Sequence, residues 1–210
     1  FSALDHFHAF SEFSDLYEYD LKKGRLHRLS RGLRLMHPVG KGNADEIDCV
    51  QRSGGSYHLA RFDARLGSVR RLSRSFAGMA QPSPSPDCTR IAAAVKLEGG
   101  PWGIGLFAGN GEMQALIALA KSDLSQPRWQ DNERLFFIVS GKETSRLASL
   151  ELDGSMGRVC DDPRLAGLRQ FDLSHDGREI FFSYFSGRGQ ELSRLSLENL
   201  TFSPMELTVT

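Results

Sequence analysis

The 210 residues carry 26 Lys/Arg against 26 Asp/Glu, a formal net charge of zero, with 40% apolar and 25% charged residues. That composition is enough to bury a core, and the charge balance gives no reason to expect nucleic acid or an anionic membrane as the main partner. No stretch approaches the roughly 18 consecutive apolar residues of a membrane span. The balance hides an asymmetry: residues 22–74 hold 13 Lys/Arg against 4 Asp/Glu, and the rest holds 13 against 22. A ring-shaped molecule would therefore have one positive and one negative sector.

Taken in chain order, the segments are short strands divided by turns. Leu4–Phe10 reads as a strand, followed by "DLYEYDL", a "KKG" turn and "RLHRLS". "LARFDARLGSVRRLS" ends 43 residues after "LYEYDLKKGRLHRLS" and repeats its pattern. "SPSPDCTRIAAAV", "WQDNERLFFIV" and "LSHDGREIFFS" follow at intervals of 44 and 45 residues, with Asp87, Asp131 and Asp176 in register. One step earlier, "KGNADEIDCVQ" places Asn43 and Ile47 in the same series. The turns "KKG", "RLG", "GNG" and "LDG" put Gly where a tight hairpin needs positive φ. Only "MQALIALAK" looks helical, and it falls where a strand is due.

A period of 40–45 residues with four short strands per repeat is the signature of a propeller blade. The fold expected is all-β: about five four-stranded blades of 43–45 residues, over residues 1–31, 32–75, 76–119, 120–163 and 164–210. In the last repeat strand a falls near Leu168–Ser174, b at Glu179–Tyr184, c at Leu192–Leu197 and d around Thr201–Thr208. The first blade lacks strand a, because its position precedes Phe1. Either the chain is part of a longer propeller, the favoured reading, or the ring is compact and closes irregularly.

Chemistry is sparse. G-x-S-x-G and H-E-x-x-H are absent, as are phosphate loops, and "GGPWGIG" has no following helix. His6 and His8 share a strand face, which suits a metal, but His37 and His175 would join them only through folding. Strand histidines are the simpler reading, so no metal or other cofactor is assigned. Cys49, Cys88 and Cys160 show no paired spacing and read as free thiols. Asp161 and Asp162 could face the ring mouth without forming a catalytic pair. The basic stretches "GRLHRLSRGLR" and "GSVRRLSRS" fall on outer strands, where charge discourages edge-to-edge pairing.

The repeat, seen in "SPSPDCTRIAAA", "LSHDGREIFFS" and "LYEYDLKKGRLHRLS", resembles the TolB-type, WD-like propeller repeat of bacteria, over nearly the whole chain. It departs from that pattern at Cys88, Asn132-Glu133 and "GNADE". The resemblance implies an exported or periplasmic protein, although the unpaired cysteines also suit the cytoplasm. It spans adaptors of the TolB kind, oligogalacturonate lyases and propellers attached to peptidases; fold does not choose among them. The d-to-a and b-to-c loops of a propeller gather at one mouth. They bring there His37, Tyr57, Trp102, Arg128, Arg169 and Arg188, with Arg34, Gln81, Arg52, Glu98, Lys142, Glu143, Gln170 and Gln190. Trp102 is the aromatic expected to be exposed and Trp129 the one expected in the core. The function expected is non-catalytic binding of a protein or peptide partner at the mouth. The alternatives are the propeller portion of a larger peptidase or polysaccharide lyase and, less favoured, glycan binding through Trp102.

Overall fold

Each repeat folds into an antiparallel meander, since consecutive strands joined by short turns pair with their chain neighbours. The computed structural model describes residues 1–6, 12–40, 45–142, 144–159 and 167–205. The first sheet has three strands, β1 (Ser2–His6), β2 (Glu12–Asp20) and β3 (Arg25–Arg28). The second is β4 (Leu35–Gly40), β5 (Glu46–Ser53), β6 (Ser56–Asp63) and β7 (Ser68–Arg71). The third is β8 (Gly78–Pro84), β9 (Arg90–Lys96), β10 (Trp102–Ala108) and β11 (Met113–Ile117). The fourth is β12 (Asp123–Trp129), β13 (Arg134–Ser140), β14 (Ser145–Glu151) and β15 (Met156–Arg158). The fifth is β16 (Leu168–Leu173), β17 (Glu179–Ser186), β18 (Gly189–Ser196) and β19 (Phe202–Pro204). Together they are the five blades of a β-propeller, the first with three strands among the described residues. Among the described residues there is no α-helix, and none long and apolar enough to cross a membrane.

One local expectation is met and one changes. "MQALIALAK", the one helical-looking stretch, begins with the expected strand, β11, paired with Ile104–Phe107 at the edge of the third sheet. In the fifth blade β17 and β18 run on to Ser186 and Gly189, so "SGRGQE" is mostly strand rather than loop.

The core follows from the two-residue period of a strand buried on both faces. Along β9, Ile91, Ala93 and Val95 pack toward the second blade, while Ala92 and Ala94 pack toward the fourth. Along β13, Leu135, Phe137 and Val139 face the third blade, and Phe136 and Ile138 face the fifth. This is why "IAAAV" and "LFFIV" read as unbroken apolar runs. Among the described residues each apolar cluster joins two consecutive blades.

Two buried ion pairs reinforce the early blades. Asp48 is fully buried and takes Arg61 Nε at 2.7 Å, while Arg61 Nη2 also reaches the Gly109 carbonyl of the next blade at 3.3 Å. Asp15, 1% exposed, accepts from Arg28 Nη2 (2.6 Å), Ser30 Oγ (2.8 Å) and the Gly32 N–H (3.0 Å). Such pairs persist where every lone pair is answered.

The a-to-b turns repeat one network. Ser85 Oγ donates to Asp87 Oδ1 at 2.6 Å and accepts the Arg90 N–H; Ser174 Oγ does the same with Asp176 and the Glu179 N–H. These hydrogen bonds hold both carboxyls below the ordinary range: Ser85 and the Thr89 N–H act on Asp87, Ser174 and the Arg178 N–H on Asp176. The turns also touch each other across blades, through Asp87 N–H to Asn132 Oδ1 at 3.0 Å and Gln130 Nε2 to the Gly177 carbonyl at 2.9 Å. Where the fifth blade has Gly177 at φ 67°, the third has Cys88 at φ 58°. A side chain in that region costs about 1–2 kcal/mol, against about 0.5–1 kcal/mol of chain entropy for Gly. Cys88→Gly is therefore expected to raise unfolding stability by roughly 0.5–1 kcal/mol in urea melts.

Candidate functional site

The innermost strand of each complete blade is a sheet edge, so it can accommodate a residue that pairs with nothing. All four carry one extra residue: between Met36 and Val39, Ala80 and Ser83, and Ser125 and Arg128 at corresponding places, and between Leu168 and Gln170 nearer the start of the strand. In three of them the bulge is a positive-φ residue followed by proline: His37 (φ 51°)-Pro38, Gln81 (φ 53°)-Pro82 and Gln126 (φ 52°)-Pro127. Proline has no N–H to pair, which suits it to a bulge on an edge.

The side chains of Gln81 and Gln126 reach the next blade. Gln126 N–H donates to Gln81 Oε1 at 2.9 Å, and Gln126 Nε2 donates to the Arg169 carbonyl at 2.7 Å. The Phe171 N–H closes the contact on Gln126 Oε1 at 3.4 Å. A ladder of side-chain amides thus links the inner strands of blades three, four and five.

Inside this ladder the inner strands line two contiguous cavities of about 400 and 510 Å³ that share His37, Gln81, Arg128 and Asp172. Arg128 Nε lies 3.3 Å from Asp172 Oδ1 of the fifth blade, and its Nη1 donates to the Pro127 carbonyl. The larger cavity continues over Phe181, Ser183 and Leu192. Ser183 is buried, and its Oγ has no hydrogen-bond partner among the described residues. The side chain of His37 opens to the channel, yet the surrounding protein holds its pKa below the ordinary imidazole value by excluding water from the charged form.

Of the residues expected at the mouth, His37, Gln81, Arg128 and Gln170 come together in the channel. Arg169, Arg188, Tyr57 and Trp102 stand apart from them. Arg169 is exposed at the start of β16, with its guanidinium 5.1 Å from the Phe185 ring centroid. Arg188 tips the β17–β18 turn and pairs with Glu191 at 3.0 Å. Half-buried Tyr57 is fixed by reciprocal backbone bonds with Phe76 (3.0 and 2.9 Å), and Arg52 lies over its ring. Trp102 is half-buried rather than exposed: its N–H donates to Asp123 Oδ1 at 2.8 Å, and a Cβ on Gly78 would stand 2.8 Å from its ring. Trp129 is buried and donates Nε1–H to the Ser83 carbonyl at 3.0 Å, as expected of a core residue.

Gln126, Asp172 and Ser183 were not expected at this site. The dipeptides His-Pro, Gln-Pro and Gln-Pro, spaced by 44 and 45 residues, are the signal that would have found the bulge row. His8, Glu143, Cys160, Asp161 and Asp162 lie outside the described residues, as does the side chain of His6. Cys49 is a buried thiol, and burial followed by the charge of Asp48 pushes its pKa up to about 12.

His37 gives a pH signature. Its folded pKa lies below the unfolded value, so as pH falls below about 6.5 the unfolded chain takes the proton first and stability declines until the folded pKa is passed. The stability gap between wild type and His37→Gln should therefore shift in favour of the variant between pH 7.5 and pH 5. Urea melts at both values read it directly, and a pH-independent gap would contradict the assignment.

No family model matches this sequence, and no curated relative does. Solved structures do. TolB from Acinetobacter baumannii superposes with a TM-score of 0.77 at 17% identity, over 92% of this chain and 50% of that one. An oligogalacturonate lyase in complex with manganese gives 0.67 at 16% identity, over 93% and 60%. A puromycin-hydrolyzing peptidase of Mycobacterium tuberculosis gives 0.67 at 17% identity, over 98% and 38%. The chain spans half the length of the TolB chain it matches. Its structure is a five-bladed β-propeller of the fold that TolB, the lyase and the peptidase share.

Proposed function

We propose that this propeller is a non-catalytic binding module that holds a segment of a protein or peptide partner in its channel, with the rim residues of the same mouth around it. The convergence of inner strands from four consecutive blades on one polar cavity carries the proposal: His37, Gln81, Gln126 and the Arg128–Asp172 pair all meet there. Arg128 keeps guanidinium N–H groups beyond its contact with Asp172, and the free hydroxyl of Ser183 offers a further polar anchor. Arginine is among the residues that most often anchor an interface. Arg169, Arg188 and Tyr57 would act as rim contacts, and Trp102 as a support for the third blade's edge rather than a primary contact. The likeness to TolB agrees with a binding role.

A second reading is the propeller portion of a larger enzyme. It is favoured by the peptidase match, in which 98% of this chain aligns with only 38% of that one. In that case the chemistry would belong to residues outside this chain, and the channel would serve access or selection of substrate.

Selection of a random peptide phage library on the immobilised protein tests the binding role. Enriched peptides are expected to lose at least ~10-fold in affinity for Arg128→Ala, about 1.4 kcal/mol. Enrichment that survives this change unaltered would remove the channel from the account.

A further inference from the structure

We propose that a second pocket on the mouth face, at the junction of the first and second blades, binds a carboxylate borne on an apolar chain end, gripped by Arg34 and Arg52. The inference deepens the binding reading and rests on it for the mouth being the working face.

The pocket, about 270 Å³, is lined by Leu4, Phe13 and Met36 on its apolar side and by Arg34 and Arg52 on its polar side. Its remaining wall includes Gly54 and Gly55, the β5–β6 turn, where a Cβ would meet nothing within 4 Å. The turn therefore leaves the entrance open.

The two arginines are set in place by the backbone. Arg34 adopts φ 57°, and its carbonyl accepts the Arg52 N–H at 3.1 Å, so both side chains start from one hydrogen-bonded point. The Arg34 guanidinium lies 4.1 Å from the Phe13 ring centroid, and that of Arg52 lies 5.9 Å from Tyr57. An aromatic ring holds a guanidinium by its face and leaves the N–H edge free for a planar anion. Among the described residues neither guanidinium has a carboxylate within ion-pair distance or a hydrogen-bond acceptor. The arginines Arg28, Arg61, Arg128, Arg134, Arg188 and Arg194 all have an acidic partner. Arg34 and Arg52 also stand within residues 22–74, where Lys/Arg outnumber Asp/Glu 13 to 4. The local field thus favours an anion.

A bare inorganic anion would use the guanidinium edges and waste the apolar wall. A carboxylate next to an apolar group uses both, as at the C terminus of a peptide ending in Leu or Phe, or in a small aromatic acid.

Isothermal titration with acetyl-Ala-Leu-Phe bearing a free carboxylate, with its C-terminal amide, and with phenylacetate tests the site. The free acid is expected to bind at least ~10-fold tighter than the amide, because each charge-assisted bond to the carboxylate is lost in the amide. Arg52→Gln and Arg34→Gln should each abolish that preference, and Arg188→Gln should leave it intact. If Arg34→Gln does not fold, Arg52→Gln alone reads the same loss. Binding of the peptide acid alone identifies a chain terminus, and binding of phenylacetate alone identifies a small acid. Equal binding of acid and amide, no binding of any of the three probes, or an unchanged preference in Arg52→Gln would overturn the proposal. Arg128→Ala is expected to leave these titrations unchanged, so failure of the channel reading and failure of this one are told apart.

Discussion

The inner surface of this propeller depends on one device, the bulge that the innermost strands of the second, third and fourth blades carry at the same place. A strand at a sheet edge has a row of unsatisfied backbone groups. Here that row is interrupted and, in three blades, turned by a positive-φ residue and a proline; in β12 and β16 it is answered by the bulge side chain of the blade before. Holding Gln81 and Gln126 at φ 53° and 52° costs about 1–2 kcal/mol each. The hydrogen bonds that Gln126 donates to Gln81 and Arg169 and accepts from the Phe171 N–H offset that cost and fix the spacing between blades.

Two further layers repeat the same nearest-neighbour logic. The alternation of β9 and β13 divides their side chains between two neighbouring blades, so each blade is wedged by the next. The a-to-b turns at the other end of the inner strands bond across blades through Asn132 and Gln130. Stability in such an array is a sum of blade terms and interface terms. The channel is thus a surface left over by three sets of inter-blade contacts, and its lining is positioned as firmly as they are. His37 stands in the second blade where glutamine stands in the next two, which puts a titratable ring at the end of an otherwise neutral amide row.

The repeat was legible because strand alternation, Asp turns and glycines recur with a fixed period, each for a local backbone reason. "DLYEYDL" and "LFFIV" needed no tertiary context to be read as strands. "MQALIALAK" needed the repeat, since its apolar spacing fits a helix while its place in the period calls for the strand that pairs with β10. Trp102 was expected to be exposed because glycines and a proline flank it. In the fold, Gly78 is the neighbour that admits its ring, and that contact crosses 24 residues of sequence. The channel set was legible only in part. Arg128 and His37 stand out by residue type, whereas Gln126 and Asp172 matter because of partners more than 40 residues away. The unpaired state of Arg34 and Arg52 is likewise a property of the folded surroundings, not of the basic segments that contain them.

The bulge side chains of the third and fourth blades hold the inner strand of the next blade, and so shape the channel. Hydrogen–deuterium exchange of wild type and Gln126→Ala, resolved to peptides, measures this most directly. In the variant, protection is expected to fall in β16, most of all at Phe171, while the Gln126 N–H, which keeps its bond to Gln81, and the β5–β6 hairpin of the second blade stay unchanged. Unaltered exchange across β16 would show that the inner strands keep their places without the amide ladder, and would contradict it.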